Sequence, residues 1–154
     1  MRLDIRIADF DDADVCELIV LHQRRAYDAS PPGTSFALDL AGLQRPEITL
    51  FELREGSRLL GIGALMTLPD RTGEVKSMRT ADGALRRGIG AAILVHIEAE
   101  ARRRGYTKIV LETGNSEAYA PANALYRRHG FTRRGPFGDY AATGFNIFYE
   151  KVLE

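Results

Sequence analysis

Segment 85–91 combines arginines and glycines in an order suited to binding a phosphate. Gly88 and Gly90 lack a Cβ, so the backbone can approach an anion closely at these positions. Arg86 and Arg87 add guanidinium groups whose planar forks match phosphate oxygens. An apolar run with helical spacing follows, and a helix start presents unpaired N–H groups together with the positive end of the helix dipole. The residues expected to contact the phosphate are Arg86, Arg87, Gly88, Ile89, Gly90 and Ala91.

The spacing within this loop distinguishes it from two nucleotide-binding loops. No Lys-Ser or Lys-Thr pair follows its glycines, as the G-x-x-x-x-G-K-[ST] loop requires. It also lacks the third glycine and the downstream acidic residue of a dinucleotide-binding loop. These differences disfavour nucleoside triphosphates and NAD as ligands. An ordinary glycine turn with two solvated arginines is the structural alternative.

Two patterns in the second half of the chain resemble those of a known family. The loop fits R/Q-x-x-G-x-G/A, except that Leu85 stands where Arg or Gln is usual. The second pattern consists of Asn115, Asn123, Ala124, Tyr126 and Gly130-Phe131. In this order and spacing, the two patterns resemble the phosphate loop and fourth-helix region of the GNAT superfamily of N-acetyltransferases. Segments 35–40, 111–114 and 136–140 resemble a bacterial branch of that superfamily.

This resemblance implies a fold and a cosubstrate. The α/β (α+β) GNAT fold has a mixed, mostly antiparallel central sheet of about six or seven strands with about four helices, here as one domain over residues 1–154. Acetyl-CoA is the implied cosubstrate, without a metal. The pantetheine arm of CoA binds where the strand before the loop splays from its neighbour, at Met78, Arg79 and Thr80, and the N–H of Met78 or Arg79 would polarise the thioester carbonyl. Asn123 would hold CoA through its amide, and Asn115 would do the same or cap the last helix.

Acetyl transfer to an amine also requires a base for the ammonium proton and an acid for the departing thiolate. Tyr126 is the predicted acid, because its phenol carries a proton at neutral pH and it shares a helix face with Asn123. Glu74 and Glu112 are the predicted bases, acting directly or through water, with a slight preference for Glu74 on the strand that carries the thioester-facing backbone. Lys76 lies on the same strand face as Glu74 and could instead neutralise it.

Composition restricts the class of protein further. The 154 residues suffice for one domain with a core, and 21 basic residues balance 21 acidic ones. A chain without net charge has no global field to attract nucleic acid or an anionic membrane. One cysteine excludes an intramolecular disulfide and a multi-cysteine metal site, and the apolar runs fall far short of the ~20 residues of a membrane span. The N-terminus alternates charged and apolar residues, unlike a signal peptide, so we expect a cytoplasmic protein.

Hydrophobic periodicity predicts the order of strands and helices. Predicted strands cover 3–7, 47–54, 58–68, 74–80, 107–112, 131–134 and 143–153. Predicted helices cover 14–28, 36–43, 88–104 and a last segment from 117 or 121 to 129. Asp14 and Glu17 resemble a capping box at the first helix. The side chains expected to be structural are His22, His96, His129 and Cys16.

Together these features favour an acetyl-CoA-dependent N-acetyltransferase that moves an acetyl group directly to a primary amine of a small molecule or peptide. A non-catalytic acyl-CoA sensor with the same fold is the main alternative, although Tyr126 and Asn123 argue against it, and a nucleotide-binding module is a third. The acceptor stays open, because the acidic residues would suit a cationic amine and the arginines a carboxylate. No nucleic acid or membrane partner is expected, and a homodimer is compatible with the fold.

Overall fold

Seven strands form one continuous sheet in the computed structural model, which describes residues 2–154. The strands are β1 (Leu3–Ile7), β2 (Ile48–Glu55), β3 (Arg58–Leu68), β4 (Thr72–Thr80), β5 (Lys108–Gly114), β6 (Thr132–Arg134) and β7 (Asn146–Val152). Their order across the sheet is β1-β2-β3-β4-β5-β7-β6, and every pair is antiparallel except β4 with β5. The mixed, mostly antiparallel sheet predicted from the sequence is therefore confirmed.

Four helices accompany the sheet in the described part of the chain. They are α1 (Ala13–Asp28), α2 (Leu40–Leu43), α3 (Ile89–Arg103) and α4 (Ala120–Arg128). Helix α2 is shorter than the predicted 36–43, because the Asp39 carboxylate accepts a hydrogen bond from the Gly42 N–H and starts the helix there. Within residues 2–154 no helix combines the length and apolar character needed to cross a membrane.

The capping box predicted at the start of α1 does not form. Asp12 is the N-cap residue, and its side chain makes no capping hydrogen bond. The Asp14 carboxylate instead accepts hydrogen bonds from Arg54 at 2.7 and 2.9 Å. A guanidinium from the sheet thus outcompetes the backbone N–H groups for this carboxylate, since a charge-assisted bidentate pair is stronger than a neutral cap.

Alternating side chains of the strands build two apolar layers on opposite faces of the sheet. On one face, α3 and α4 pack against residues such as Leu53, Val75 and Leu111. On the other face, α1 and α2 pack against residues such as Leu50 and Ile62. We call these the α3 face and the α1 face. The two faces matter for function because β4 and β5 contribute side chains to both.

Helix α3 lies very close to β3, and glycine makes this approach feasible. A Cβ at Gly63 would stand 2.6 Å from both Ile93 Cγ2 and Met78 Sδ. The ladder between β3 and β4 is also irregular here, because Ile62 pairs with Arg79 while Ala64 pairs with Lys76. One residue of β3 therefore opposes two of β4, which is a β-bulge. Gly63 thus lies at the close approach of α3 and opposite the bulge of β4.

Candidate active site

Strands β4 and β5 are paired at only one end. Their parallel ladder comprises Thr72 with Lys108, Gly73 with Ile109 and Glu74 with Val110, and it ends there although both strands continue. Beyond it a cleft of about 800 Å³ opens between the strands and is lined from both faces of the sheet, by α1 and the 34–38 loop on one side and by α4 on the other. The backbones of β4 and β5 are thus available to a ligand that enters the gap as an added strand would.

The start of α3, where the sequence predicts an anion site, leaves backbone N–H groups without an acceptor on the α3 face. Gly88 takes a left-handed conformation with φ 75° and caps the helix. The Ala92 N–H donates the first helical hydrogen bond, to the Gly88 carbonyl at 3.0 Å. The N–H groups of Ile89, Gly90 and Ala91 therefore precede the ladder and have no acceptor within the helix. Gly90 also lines the cleft, so this helix start faces the space between the strands.

The two arginines of the loop differ from each other. Arg87 forms an ion pair with Glu55 on β2, at 2.8 Å, and does not line the cleft, so its predicted phosphate contact is not formed by the side chain as it stands. Arg86 is exposed, with φ 64°. Leu85, at the position where the family pattern has Arg or Gln, is half-exposed and lines the cleft. The backbone N–H groups of the helix start are consequently the best-supported contacts of the predicted anion site.

Tyr126 lies on α4 and lines the cleft from the α3 face. Its ring packs edge-on against Phe131 at 5.8 Å and beside Tyr149 at 6.0 Å. Burial raises the pKa of the Tyr126 phenol, and the neighbouring Tyr149 adds to the effect. The phenol is therefore protonated at neutral pH and can act as a proton donor.

Asn123 and Asn115, both predicted to contact CoA, have other roles. The Asn123 amide donates to the carbonyls of Gly114 and Tyr119, each at 3.0 Å, and accepts a hydrogen bond from the Tyr149 hydroxyl. Both of its N–H donors are used inside the protein, so Asn123 ties α4 to β5 and β7 rather than reaching the cleft. Asn115 donates to the Gly144 carbonyl at 2.9 Å and caps no helix.

On the α1 face, Glu74 belongs to a closed hydrogen-bonded triangle. Its Oε2 accepts from the Tyr140 hydroxyl at 2.6 Å and from Lys76 Nζ at 3.0 Å. Lys76 Nζ also donates to the Tyr140 hydroxyl at 2.6 Å. The neutralising partnership between Lys76 and Glu74, considered from the sequence, is therefore present. Tyr140 joins it from the segment between β6 and β7.

Glu112 lies on β5 across the gap from this triangle and also lines the cleft. Burial raises the pKa of the Glu112 carboxyl to about 7, and the nearby Glu74 carboxylate adds to this, while Lys76 and Asn146 oppose it. Among the described residues no lysine or arginine forms an ion pair with Glu112, in contrast to Glu74. A carboxyl with a pKa near neutrality is suited to accepting and releasing a proton.

The strand segment that was expected to face the thioester, Met78 to Thr80, begins in the bulge. Ser77 sits in the bulge with φ 56°, and its hydroxyl is buried without a hydrogen-bond partner in the described residues. Ser77, Met78, Arg79 and Thr80 all line the cleft. A bulge leaves backbone groups outside the ladder, so N–H groups of this segment can turn toward a carbonyl in the gap.

The histidines separate into two kinds. His96 packs against Phe51 at 4.9 Å and His129 contacts the Leu125 carbonyl at the end of α4, and neither lines the cleft. His22, expected to be structural, does line the cleft and accepts a hydrogen bond from Arg79 Nε at 3.1 Å. Burial lowers the pKa of His22 to about 4, with Arg79 acting in the same direction, so the ring is neutral at pH 7. Among the described residues, no three His, Cys, Asp or Glu side chains come together to hold a metal ion.

A strand pair that parts at one end, with unpaired helix N–H groups on one face and titratable carboxyls on the other, suits the chemistry of acyl transfer. The profile of the Acetyltransferase (GNAT) family matches residues 12–131. The chain belongs to this family and is an acetyltransferase. The resemblance identified from the two sequence patterns is therefore confirmed.

Related proteins support the same assignment. The chain is 40% identical to the uncharacterized N-acetyltransferase YsnE of Bacillus subtilis over 98% of this chain and 100% of that protein. A solved structure from Klebsiella pneumoniae, provisionally described as an acyl-CoA N-acyltransferase, has a TM-score of 0.81 at 27% identity and covers 99% of this chain and 98% of its own. A GNAT family acetyltransferase from Elizabethkingia anophelis with acetyl-CoA bound has a TM-score of 0.70 at 21% identity, with 98% of each chain covered.

Tyr140 and Ser77 were not identified from the sequence as parts of the site, and Arg79 was identified only for its backbone. Tyr140 was noted only within a segment that resembles a bacterial branch, although it joins Glu74 and Lys76. Ser77 carried no signal, because nothing in its neighbours marks a bulge. The family pattern concerns the backbone of Arg79 and carries no signal for its side chain. The available signal was the alternation of side chains along β4, which places Arg79 and Thr80 on opposite faces of the sheet.

Proposed function

We propose that this acetyltransferase moves the acetyl group of acetyl-CoA directly to a primary amine of a small molecule or peptide. The observation that carries the proposal is the parting of β4 from β5. On the α3 face of the gap lie the free N–H groups of α3 and the protonated Tyr126, and on the α1 face lies Glu112. A thioester in the gap would thus have an acid on one side and a base on the other.

Acetyl-CoA fits the residues of the α3 face. The N–H groups of Ile89, Gly90 and Ala91 would bind its pyrophosphate, with Arg86 as the nearby cation that has no ion pair among the described residues. The segment from Met78 to Thr80 would bond the pantetheine arm. The acetyl-CoA bound to the Elizabethkingia anophelis protein, which shares the fold, supports this choice of cosubstrate.

We assign the base to Glu112 rather than to Glu74, which the sequence slightly favoured. Glu74 is held by Lys76 and Tyr140, whereas Glu112 has no ion pair and a pKa raised to about 7. Glu112 would take a proton from the acceptor ammonium, directly or through water. The free amine then attacks the carbonyl carbon, a new C–N bond forms, and the carbonyl oxygen becomes an oxyanion facing the bulge N–H groups.

Collapse of this tetrahedral species breaks the carbon–sulfur bond and releases the CoA thiolate. Tyr126 lies on the α3 face, where the thiolate departs, and its phenolic proton would be transferred to the sulfur. The second proton on the former amine passes through water to the Tyr126 phenolate and restores the phenol, and Glu112 releases its proton to solvent. The products are the amide, the free thiol and one proton, and both side chains return to their starting states.

A turnover assay tests the proposal. The purified chain is incubated with acetyl-CoA and a panel of amines, amino acids, polyamines and peptides, and released thiol and acetylated product are both measured. Tyr126→Phe serves as the paired variant and should lower kcat by roughly 10²–10⁴-fold with little change in acetyl-CoA affinity. Acetyl-CoA binding without turnover of any acceptor would favour the non-catalytic sensor instead.

A further inference from the structure

Arg79 is a half-buried cation in the cleft that lacks a carboxylate partner. Among residues 2–154, no Asp or Glu oxygen lies within 4.0 Å of its guanidinium, and its single hydrogen bond is the one from Nε to the neutral His22 ring at 3.1 Å. Asp82, the acid whose charge acts on Arg79, is already bound by both terminal nitrogens of Arg25, at 2.6 and 2.8 Å. The two terminal NH₂ groups of Arg79 are therefore free.

This arrangement is unfavourable without a ligand. Burial lowers the pKa of Arg79, which means that the charged form is stabilised less than it would be in water. Buried arginines are normally matched with a carboxylate or phosphate, because an unpaired buried charge costs free energy. His22 is neutral and occupies only Nε, so it orients the guanidinium while leaving the planar fork open for an anion.

The position of Arg79 separates this anion from the phosphates of CoA. Arg79 pairs with Ile62, whose side chain belongs to the α1 face. Its neighbour Thr80 points to the opposite face, where a Cβ placed on Gly90 would be 3.9 Å from Thr80 Oγ1. The phosphate-binding helix start and Arg79 thus lie on different sides of the sheet, and Arg79 faces the side on which Glu112 would receive the amine.

The walls on this side also carry large apolar side chains. Phe36 is 37% exposed and Phe145 49% exposed, and both line the cleft together with Leu38 and Ile62. Large exposed aromatic side chains in a cleft indicate a ligand with an apolar body. Arg79 lies three residues beyond Lys76 on β4, with the bulge between them, and Lys76 is the residue that faces Glu112. About 7–10 Å of strand therefore separates Arg79 from Lys76. A long arginine side chain can cover this distance across a small molecule.

The geometry points to an acceptor that carries a carboxylate, bound by Arg79, and a primary amine, presented to Glu112: an amino acid with an apolar or aromatic side chain. This inference rests on the proposed acetyl transfer and specifies its substrate class. The carboxylate would complete the charge balance of the cleft, which now holds an unmatched guanidinium. A planar carboxylate matches the two free NH₂ groups of Arg79 as a bidentate partner.

Matched acceptors test this inference. Phenylalanine is compared with phenylalaninamide and leucine with leucinamide, because each amide keeps the amine and the side chain and replaces the carboxylate by a neutral group. We expect kcat/KM to be at least about 30-fold higher for the amino acids, as expected for a buried charge-assisted pair. Arg79→Gln should abolish this preference by raising the KM for the amino acid, with the KM for acetyl-CoA unchanged, and Arg79→Lys should retain part of it.

Two controls separate the possible failures. Arg103→Gln removes an exposed arginine far from the cleft and should leave all constants unchanged, and the melting temperature of each variant reports whether it folds. Binding of phenylalanine and its amide to the protein saturated with CoA is measured by calorimetry as a readout independent of turnover. Equal turnover of acids and amides, unaffected by Arg79→Gln, overturns the inference while the proposed function stands. Carboxylate-selective binding that depends on Arg79, without turnover, supports the Arg79 site and overturns the proposed function. If neither carboxylate-selective binding nor turnover is observed, the inference is overturned together with acetyl transfer to these amines.

Discussion

Two groups of charged side chains lie on the α1 face of the same sheet, and they differ in how completely they are paired. The hairpin cluster consists of Arg6, Asp12, Asp14, Glu52 and Arg54. The cleft cluster consists of Glu74, Lys76, Arg79, Glu112 and Tyr140. Each contains a buried carboxylate, Glu52 in the first cluster and Glu74 in the second. Only the cleft cluster leaves charged or titratable groups without a partner.

In the hairpin cluster every buried charge is matched. Glu52 is 0% exposed and accepts from Arg6 at 2.7 Å and from Arg54 at 3.0 Å. Arg54 is 7% exposed, and it also binds Asp14 and the Ser57 carbonyl. These partners raise the pKa of Arg54, because hydrogen bonds and opposite charges favour its ionised form. The cluster holds α1 to the β2–β3 hairpin and has no free site for a ligand.

In the cleft cluster not every charged or titratable side chain has an ion-pair partner. Glu74 and Lys76 satisfy each other, but Glu112 and Arg79 have no ion pair in the described chain, and the pKa of Glu112 is raised to about 7. Incomplete pairing costs stability and keeps groups available for substrate and for protons. A buried charge by itself therefore does not identify a site, whereas a buried charge without an ion-pair partner does.

Glu112→Gln should cause the largest change in activity. If Glu112 is the base, kcat/KM falls by roughly 10²–10⁴-fold, the usual contribution of a positioned base. In the parent enzyme kcat/KM should decline as the pH falls below about 7, because protonation of Glu112 removes the base, and the variant should lack this limb. Initial rates across pH 5.5–9 measure both effects.

Glu74→Gln is the matched variant for this measurement. Its amide oxygen can still accept the hydrogen bond from the Tyr140 hydroxyl, so the triangle survives in part. We expect a smaller loss of kcat/KM and a retained acidic limb. The reverse result, with the limb lost only in Glu74→Gln, would return the role of base to Glu74.

Arg54→Met should cause the largest loss of stability. It leaves the Glu52 carboxylate fully buried with only Arg6 to balance it, and breaking a buried ion pair costs about 3–5 kcal/mol. The free energy of unfolding from denaturant titration measures the effect. Asp14→Asn is the control and should lower the free energy of unfolding by about 1 kcal/mol or less, because Asp14 is half-exposed and the ion pair between Arg54 and Glu52 remains. Equal costs for the two variants would mean that the hairpin cluster is not held by its buried pair.

Glu112→Gln should also stabilise the protein at neutral and higher pH. The pKa of Glu112 is raised from 4.5 to about 7 in the folded state, so the native state binds more protons than the unfolded state between these values. The contribution of Glu112 to stability is therefore fully present below about pH 4.5 and is lost as the pH rises through about 7. At pH 8 the variant should be more stable than the parent by about 1–3 kcal/mol, and the gain is limited to this range because the Glu112 carboxyl keeps some contact with solvent. Near pH 4 the difference in stability should vanish. Unfolding titrations at pH 4, 6 and 8 measure this trend, and a constant difference across them would contradict the raised pKa.

The smallest effect is expected for Arg87→Gln. Arg87 is paired with Glu55 at the surface, and such pairs contribute about 1 kcal/mol or less. Because the side chain does not line the cleft, we expect the KM for acetyl-CoA to change less than about threefold. Gly90→Val should raise that KM much more, because it adds a branched side chain at the helix start that faces the cleft. A large effect of Arg87→Gln would show that Arg87 leaves Glu55 to bind phosphate.

Local features of the site could be predicted because they depend on neighbours in the chain. Helix α3 starts at Gly88, as the periodicity predicted, and Tyr126 and Asn123 share the buried face of α4, as their spacing predicted. Roles that depend on distant partners could not be predicted. Asn123 is occupied by Gly114, Tyr119 and Tyr149, and nothing in its own segment reveals those partners.

The order and type of the strands and helices, the glycine loop before α3 and the family could be predicted from the sequence alone, because periodicity, glycine placement and motif spacing are local properties of a chain. Only the tertiary structure decided which charges are paired. Arg87 is held by Glu55 and Asp14 by Arg54, whereas Arg79 and Glu112 have no ion-pair partner in the described residues. Pairing and burial depend on residues that are remote in the chain, and a carboxyl or guanidinium acquires its pKa and its availability only from the neighbours that folding brings to it.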